Sequence, residues 1–211
     1  ATTVTENDPY SFTLTKKDGF DYTVSATMDG AAVELTETVD TGNANVVTYS
    51  IAKVTGDLVI TVNKVSTLNM DVAVSEYVQM DDKTVFLVTV TGTPEEGKAF
   101  AYGENVMYKT TAYGENVYSW LVIVDGTDLT AADAEAKITQ SAAEAEEVAA
   151  GYDVNETGVV DINDAQLTYD IYTGKYTDFE KVSVRKFLRA DTNADKVVNS
   201  ADAVAVVANS N

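Results

Sequence analysis

The sequence predicts a multidomain chain: all-β modules of antiparallel sandwich type over residues 1–150, then a small all-α segment over 151–211 built on two loop–helix motifs. Three observations carry this reading. Short runs rich in β-branched and aromatic residues recur as far as Val124, separated by turn dipeptides. Net charge changes with sequence texture, from −5 over 1–66 to −11 over 67–150 and −4 over 151–211, which draws module boundaries at those points. A twelve-residue, oxygen-rich string occurs twice near the C-terminus, followed each time by an apolar helix-forming run.

In the first module, strands are expected at 10–15, 22–27, 32–35, 46–51 and 58–62, with turns at Asp18-Gly19, Asp29-Gly30 and Gly42-Asn43. Regular short spacing of this kind favours a small sandwich. In the second, strands are expected at 70–80, 85–90 and 118–124. The hexapeptide Ala-Tyr-Gly-Glu-Asn-Val starts at Ala101 and again at Ala112, too close for a solenoid repeat and consistent with neighbouring strands or turns. Thr130 and Asp133 form a capping-box-like start, so one helix is expected near 130–140, in Ala- and Glu-rich sequence that runs to about 150. Tyr102, Tyr108, Tyr113, Tyr118 and Trp120 are read as filling the inner face of this module. The alternative is a platform of rings for sugar stacking, which would make 67–150 a carbohydrate-binding module.

Composition narrows the chemistry. With 34 Asp/Glu against 14 Lys/Arg, the net charge of −20 opposes nucleic-acid binding, which needs a basic patch to displace counterions. No apolar run approaches the ~20 residues of a membrane span, and no n-region plus h-region stands at Ala1, so any export signal is expected to have been removed. Without His or Cys, thiol catalysis, His-based triads and zinc sites with N or S ligands cannot be built from this chain. Thirty-four acids provide many carboxylate pairs, but none stands out as a glycosidase pair, and no enzyme is expected.

What remains abundant is oxygen, the ligand set of hard cations such as calcium. From Asp153, oxygen-bearing side chains stand at loop positions one (Asp153), three (Asn155), five (Thr157), nine (Asp161) and twelve (Asp164), with Gly158 at six. Position seven, Val159, would offer its backbone carbonyl. This is EF-hand-type spacing. Thirty-eight residues later it returns as Asp191, Asn193, Asp195, Val197, Asn199 and Asp202. Carboxylates converging in so short a loop repel one another unless a cation neutralises them, so two Ca2+ are expected, which would bring the −4 of this segment to zero. Each loop has a weakness. Thr157 is a neutral ligand, and Lys196 occupies position six, where a left-handed non-Gly residue costs on the order of 1 kcal/mol.

No amphipathic turn precedes the first loop, which separates the pattern from a sensor EF-hand. A helix is expected from Asp164 to Tyr172, stopped by Gly174, then a middle helix over 178–189 with Phe179, Val182, Phe187 and Leu188 inward, and a short last helix over 203–208. On the duplicated loops, the run Asp161-Ile-Asn-Asp-Ala-Gln-Leu and the run from Asp195 to Asp202, residues 151–211 resemble a cellulosomal dockerin module. Residues 1–150 resemble, more weakly, the X modules and immunoglobulin-like modules found beside some dockerins of gut Firmicutes.

The resemblance implies a secreted or bacterial cell-surface protein that docks, in a calcium-dependent way, onto a cohesin domain of a scaffold protein. It places cohesin contact on Ile162, Asn163, Gln166, Tyr169 and Asp170 in the first repeat and on Ser200, Ala201, Val207 and Ala208 in the second. Because the two halves differ and the last helix is read as curtailed, a single binding mode is expected. Ile171 is read as core, and Tyr169 stands between core and contact.

Overall fold

Tyr10, Phe12 and Leu14 alternate with Ser11, Thr13 and Thr15, a period of two that suits an extended chain with one face covered. That run is β1 (Tyr10–Thr15) in a computed structural model of the protein, which describes residues 5–17, 19–176 and 183–210. It is followed by β2 (Phe20–Met28), β3 (Ala31–Val33), β4 (Thr36–Val39), β5 (Val46–Ile51) and β6 (Leu58–Ser66). These six strands form two three-stranded antiparallel sheets, β1-β5-β4 and β3-β2-β6. Both supply the same small core, where Ala26, Ile51 and Val54 are buried beneath Tyr10, Met28, Leu58 and Ile60. Asp29 and Gly30 turn the chain between β2 and β3 with φ of 51° and 81°, the two positive values a tight hairpin needs. Strand β4 was not expected: Thr-Glu-Thr-Val carries no alternation and is exposed throughout, and it is extended because β5 offers it an edge.

The chain divides into two compact units, Ala1–Leu68 and Asn69–Asn211. The second contains β7 (Met70–Met80), β8 (Lys83–Gly92), β9 (Ala99–Tyr102), β10 (Asn105–Val106), β11 (Tyr108–Thr110) and β12 (Val117–Asp125). After these come α1 (Ala131–Glu135), β13 (Ile138–Ser141), β14 (Glu147–Val148), α2 (Ile162–Tyr172), α3 (Ser183–Ala190) and α4 (Ser200–Asn209). A five-stranded sheet, β14-β11-β12-β8-β7, is antiparallel except where β14 joins β11, and a smaller sheet has the order β10-β9-β13.

Strand β8 is buried from Thr84 to Val90, so both faces of the larger sheet are covered at its centre. On one face Val85, Leu87 and Leu121 share a core with Leu167, Ile171, Val184, Phe187, Leu188 and Val206 of the three C-terminal helices. On the other, Phe100 of β9 meets Tyr118 of β12 edge-on at 5.1 Å. Segments whose sequence textures differ thus share one apolar core.

Several expectations need correction. Thr130 does cap a helix, its Oγ1 accepting from the Asp133 N–H at 3.1 Å, but α1 lasts only five residues. Ile138 is fully buried and its neighbours pair with β9, so tertiary pairing overrides the helix propensity of the Ala- and Glu-rich run, which goes on to β14. The last helix is not curtailed: α4 has ten residues against eleven in α2. The middle helix is described from Ser183 to Ala190, and Phe179 and Val182 lie outside the described residues. As expected, no helix enters the first loop, and α2 ends at Tyr172 with Gly174 at φ 70°. No helix among the described residues is long and apolar enough to cross a membrane.

Candidate metal centre and docking face

Each loop is held by its own side chains, and the same bonds recur at the same positions. In the first, Asp153 accepts from the Thr157 and Gly158 N–H groups at 3.0 and 2.9 Å, and Asn155 Oδ1 accepts from Thr157 N–H at 3.1 Å. In the second, Asp191 accepts from the Asp195 and Lys196 N–H groups at 3.2 and 2.8 Å, and Asn193 Oδ1 accepts from Asp195 N–H at 2.9 Å. Positions four and six are left-handed in both, with φ of 63° at Glu156 and 86° at Gly158, then 59° at Ala194 and 71° at Lys196. The Lys196 substitution therefore leaves the backbone path unchanged. The position-eight valines, Val160 and Val198, pack into the helical core.

Position nine caps the following helix. Asp161 accepts from Asn163 N–H at 2.8 Å ahead of α2, and Asn199 from Ala201 N–H at 2.8 Å ahead of α4, each within a capping box closed by position twelve. Asp164 accepts from Asn155 and Asp161 N–H, both at 2.9 Å. Asp202 accepts from Thr192 N–H, Thr192 Oγ1 and Asn199 N–H, each at 2.9 Å. The position-twelve carboxylates are thus turned to backbone donors, and among the described residues no three acidic side chains are grouped to hold a cation. Thr157 Oγ1 points along its loop to the Val159 carbonyl at 3.3 Å.

Asp164, Asp191 and Asp202 are fully buried. Burial pushes the Asp191 carboxyl above the ordinary carboxylate range, against the hydrogen bonds from Tyr113 and Lys196 that favour its ionised form. Burial first, and the nearby Asp191 and Asp202 carboxylates second, push the phenols of Tyr77 and Tyr113 up, so both are protonated at neutral pH. Arg189 Nε donates to the Asp153 carbonyl at 2.7 Å, and Arg185 pairs with Glu146 and Glu156, which ties the first loop to α3.

Helices α2 and α4 pack on each other and leave one face each in solvent. Ile162 and Tyr169 of α2 are 66% and 43% exposed, and Val207 of α4 is 52% exposed. Ile171 is fully buried, while Tyr169 rests edge-on against Tyr172 at 5.1 Å. Gln166 and Lys175 both donate to Asp170 Oδ1, at 2.7 and 3.0 Å, and the Lys175 bond chiefly holds the Asp170 carboxyl below its usual range. Val204, 67% exposed, lies on the α4 face between Ser200, Ala201, Val207 and Ala208. It was not among the expected contacts, although it is the counterpart of Gln166 at the repeat offset of thirty-eight residues.

Among the aromatics, Tyr102 and Tyr118 are buried, and Tyr108 and Trp120 stack face to face at 5.7 Å while leaning on the helical core. Beside them lies a cavity of about 530 Å³ lined by Tyr102, Asn105, Tyr108, Trp120 and Val184. The buried Tyr102 hydroxyl has no hydrogen-bond partner among the described residues. No family model matches the chain, no curated protein matches it, and no solved structure matches its fold.

Proposed function

We propose that the chain is a non-catalytic, calcium-dependent docking protein of the cell exterior. In this reading residues 151–211 act as a dockerin-type module that binds a cohesin domain of a scaffold or cell-surface protein, and the immunoglobulin-like and X-like β modules before it serve as spacer and stabiliser. One observation carries the reading: two loops thirty-eight residues apart share backbone path, internal hydrogen bonds and helix-capping scheme, and so set α2 and α4 as equivalent, mutually packed helices. Calcium would be held by Asp153, Asn155, Thr157, Asp161 and Asp164 with the Val159 carbonyl, and by Asp191, Asn193, Asp195, Asn199 and Asp202 with the Val197 carbonyl. The hard oxygen donor set suits that ion, and the buried carboxylates need positive charge nearby.

Docking in one orientation follows from the side chains alone. Ile162/Ser200, Asn163/Ala201, Gln166/Val204, Tyr169/Val207 and Asp170/Ala208 are equivalent positions occupied by unlike residues. The α2 face carries Ile162 and Tyr169 beside a Gln166–Asp170–Lys175 hydrogen-bonded cluster, whereas the α4 face has Ser200 and otherwise Ala and Val, so a half-turn does not reproduce the surface. Titration calorimetry against a panel of cohesins is expected to show binding in Ca2+ and none in EDTA; equal binding in both would sink the proposal. Of the variants Tyr169→Asp and Val207→Asp, one is expected to weaken binding about 30-fold or more and the other to be tolerated, as a single anchored contact would require.

The cavity beside Tyr108 and Trp120, which Tyr102 also lines, favours a second reading, carbohydrate binding by residues 67–150. Sugar bound there would retard the protein on starch, xylan or cellulose gels and Trp120→Ala would release it; unretarded wild type leaves the rings as packing alone.

A further inference from the structure

The two loops differ in what braces them from outside. Asp153 is half-buried; its carboxylate accepts only from its own loop, and the outside brace of that loop comes from α3, whose Arg189 donates to the Asp153 carbonyl. Asp191 makes the corresponding two bonds and one more: the Tyr113 hydroxyl, 78 residues away in sequence, donates to Asp191 Oδ2 at 2.7 Å. Tyr113 stands in the turn before β12, and that turn is itself anchored, since Tyr113 N–H donates to Oγ1 of the fully buried Thr110 at 3.2 Å. The same ring meets the second loop again. Lys196, the residue at the glycine position, carries its ammonium 5.7 Å from the centre of the Tyr113 ring.

We propose that Tyr113 is a positioning residue for the second loop, and that it makes cation binding there, but not at the first loop, dependent on the β-sheet part of the unit. The inference rests on the calcium reading and deepens it. A short bond from a neutral hydroxyl to a carboxylate is directional. It fixes the Asp191 side chain before an ion arrives, with Oδ2 shared between the Tyr113 hydroxyl and the Lys196 N–H and Oδ1 accepting from the Asp195 N–H. Outer partners of this kind hold a ligand in its productive orientation, and their loss costs metal sites 10- to 100-fold in affinity, by roughly the same logic in any oxygen cage. The ring adds a second service. A lysine at position six brings a positive charge beside the cation's place, and the face of Tyr113 attracts that ammonium to one side. The first loop, with Gly158 at position six, needs no such brace.

The test is calcium calorimetry on the full chain in two backgrounds, Asp153→Ala to isolate the second loop and Asp191→Ala to isolate the first, each with and without Tyr113→Phe. That change keeps the ring and removes the hydroxyl. The expected result is a dissociation constant raised about tenfold or more at the second loop and unchanged at the first. The unmoved first loop, with an unchanged near-ultraviolet circular dichroism spectrum, shows that the fold has survived. Equal affinities with Tyr and Phe at the second loop would overturn the positioning role and leave calcium binding standing. Equal loss at both loops would mark Tyr113 as a general packing residue and likewise overturn the proposal. A wild-type chain that takes up no calcium would remove the functional reading, and this inference with it.

Discussion

Chelating calcium is expected to lower the thermal midpoint of the unit Asn69–Asn211 and to leave that of Ala1–Leu68 in place, because both loops lie in the second unit. An ion that binds only the native state stabilises it by RT ln(1 + [L]/Kd), about 2.7 kcal/mol for each site at a hundredfold excess over Kd and so about 5 kcal/mol for two. The structural reason is the set Asp164, Asp191 and Asp202, fully buried and paired, among the described residues, with N–H and hydroxyl donors. Such groups are costly to keep ionised without a counter-charge. Scanning calorimetry in calcium and in EDTA checks this, with Asp153→Ala plus Asp191→Ala as the variant that should melt alike in both. Superimposable scans of the wild type would mean the loops are closed by their own hydrogen bonds alone.

Replacing Phe187 by alanine is expected to cost about 3 to 5 kcal/mol, the range for emptying a well-packed aromatic site. Phe187 is fully buried where α3 meets the sheet, edge-on to Tyr77 of β7 at 4.6 Å. Since helix residues and sheet residues share that core, the loss should appear equally in the Trp120 fluorescence of β12 and in the helical circular dichroism signal. Denaturant curves from the two probes are expected to move together. If Trp120 reported an unshifted midpoint while the helices melted early, the sheet and the helices would be separate cooperative units. Phe187→Leu, which leaves less empty volume, should lose less.

The parts of the molecule that were legible beforehand are those whose cause is local. Asp153 to Asp164 and Asp191 to Asp202 could be read in register because the bonds that close each loop on itself reach no more than ten residues. Strands β1 and β5 matched to the residue, since alternation and flanking turns mark them. Strand β4 and strand β13 were missed for the opposite reason: one has no pattern and the other is four residues set in an Ala- and Glu-rich stretch, and both are extended because a neighbouring strand pairs with them. Val204 was within reach, at the repeat offset from Gln166, but its exposure depends on which side of α4 turns to α2.

The duplicated hexapeptide draws the line most clearly. At Ala101 it makes the β9–β10 hairpin and buries Tyr102; at Ala112 it makes the turn into β12 and sends Tyr113 to Asp191. Six identical residues carry no information about that choice. Sequence alone determined the oxygen spacing, the capping residues and the strand periodicity, because those forces act across a few neighbouring residues. The tertiary structure decided which aromatic reaches the second loop and which faces meet water, because those contacts join residues far apart along the chain, and only the packed core brings them within a few ångströms.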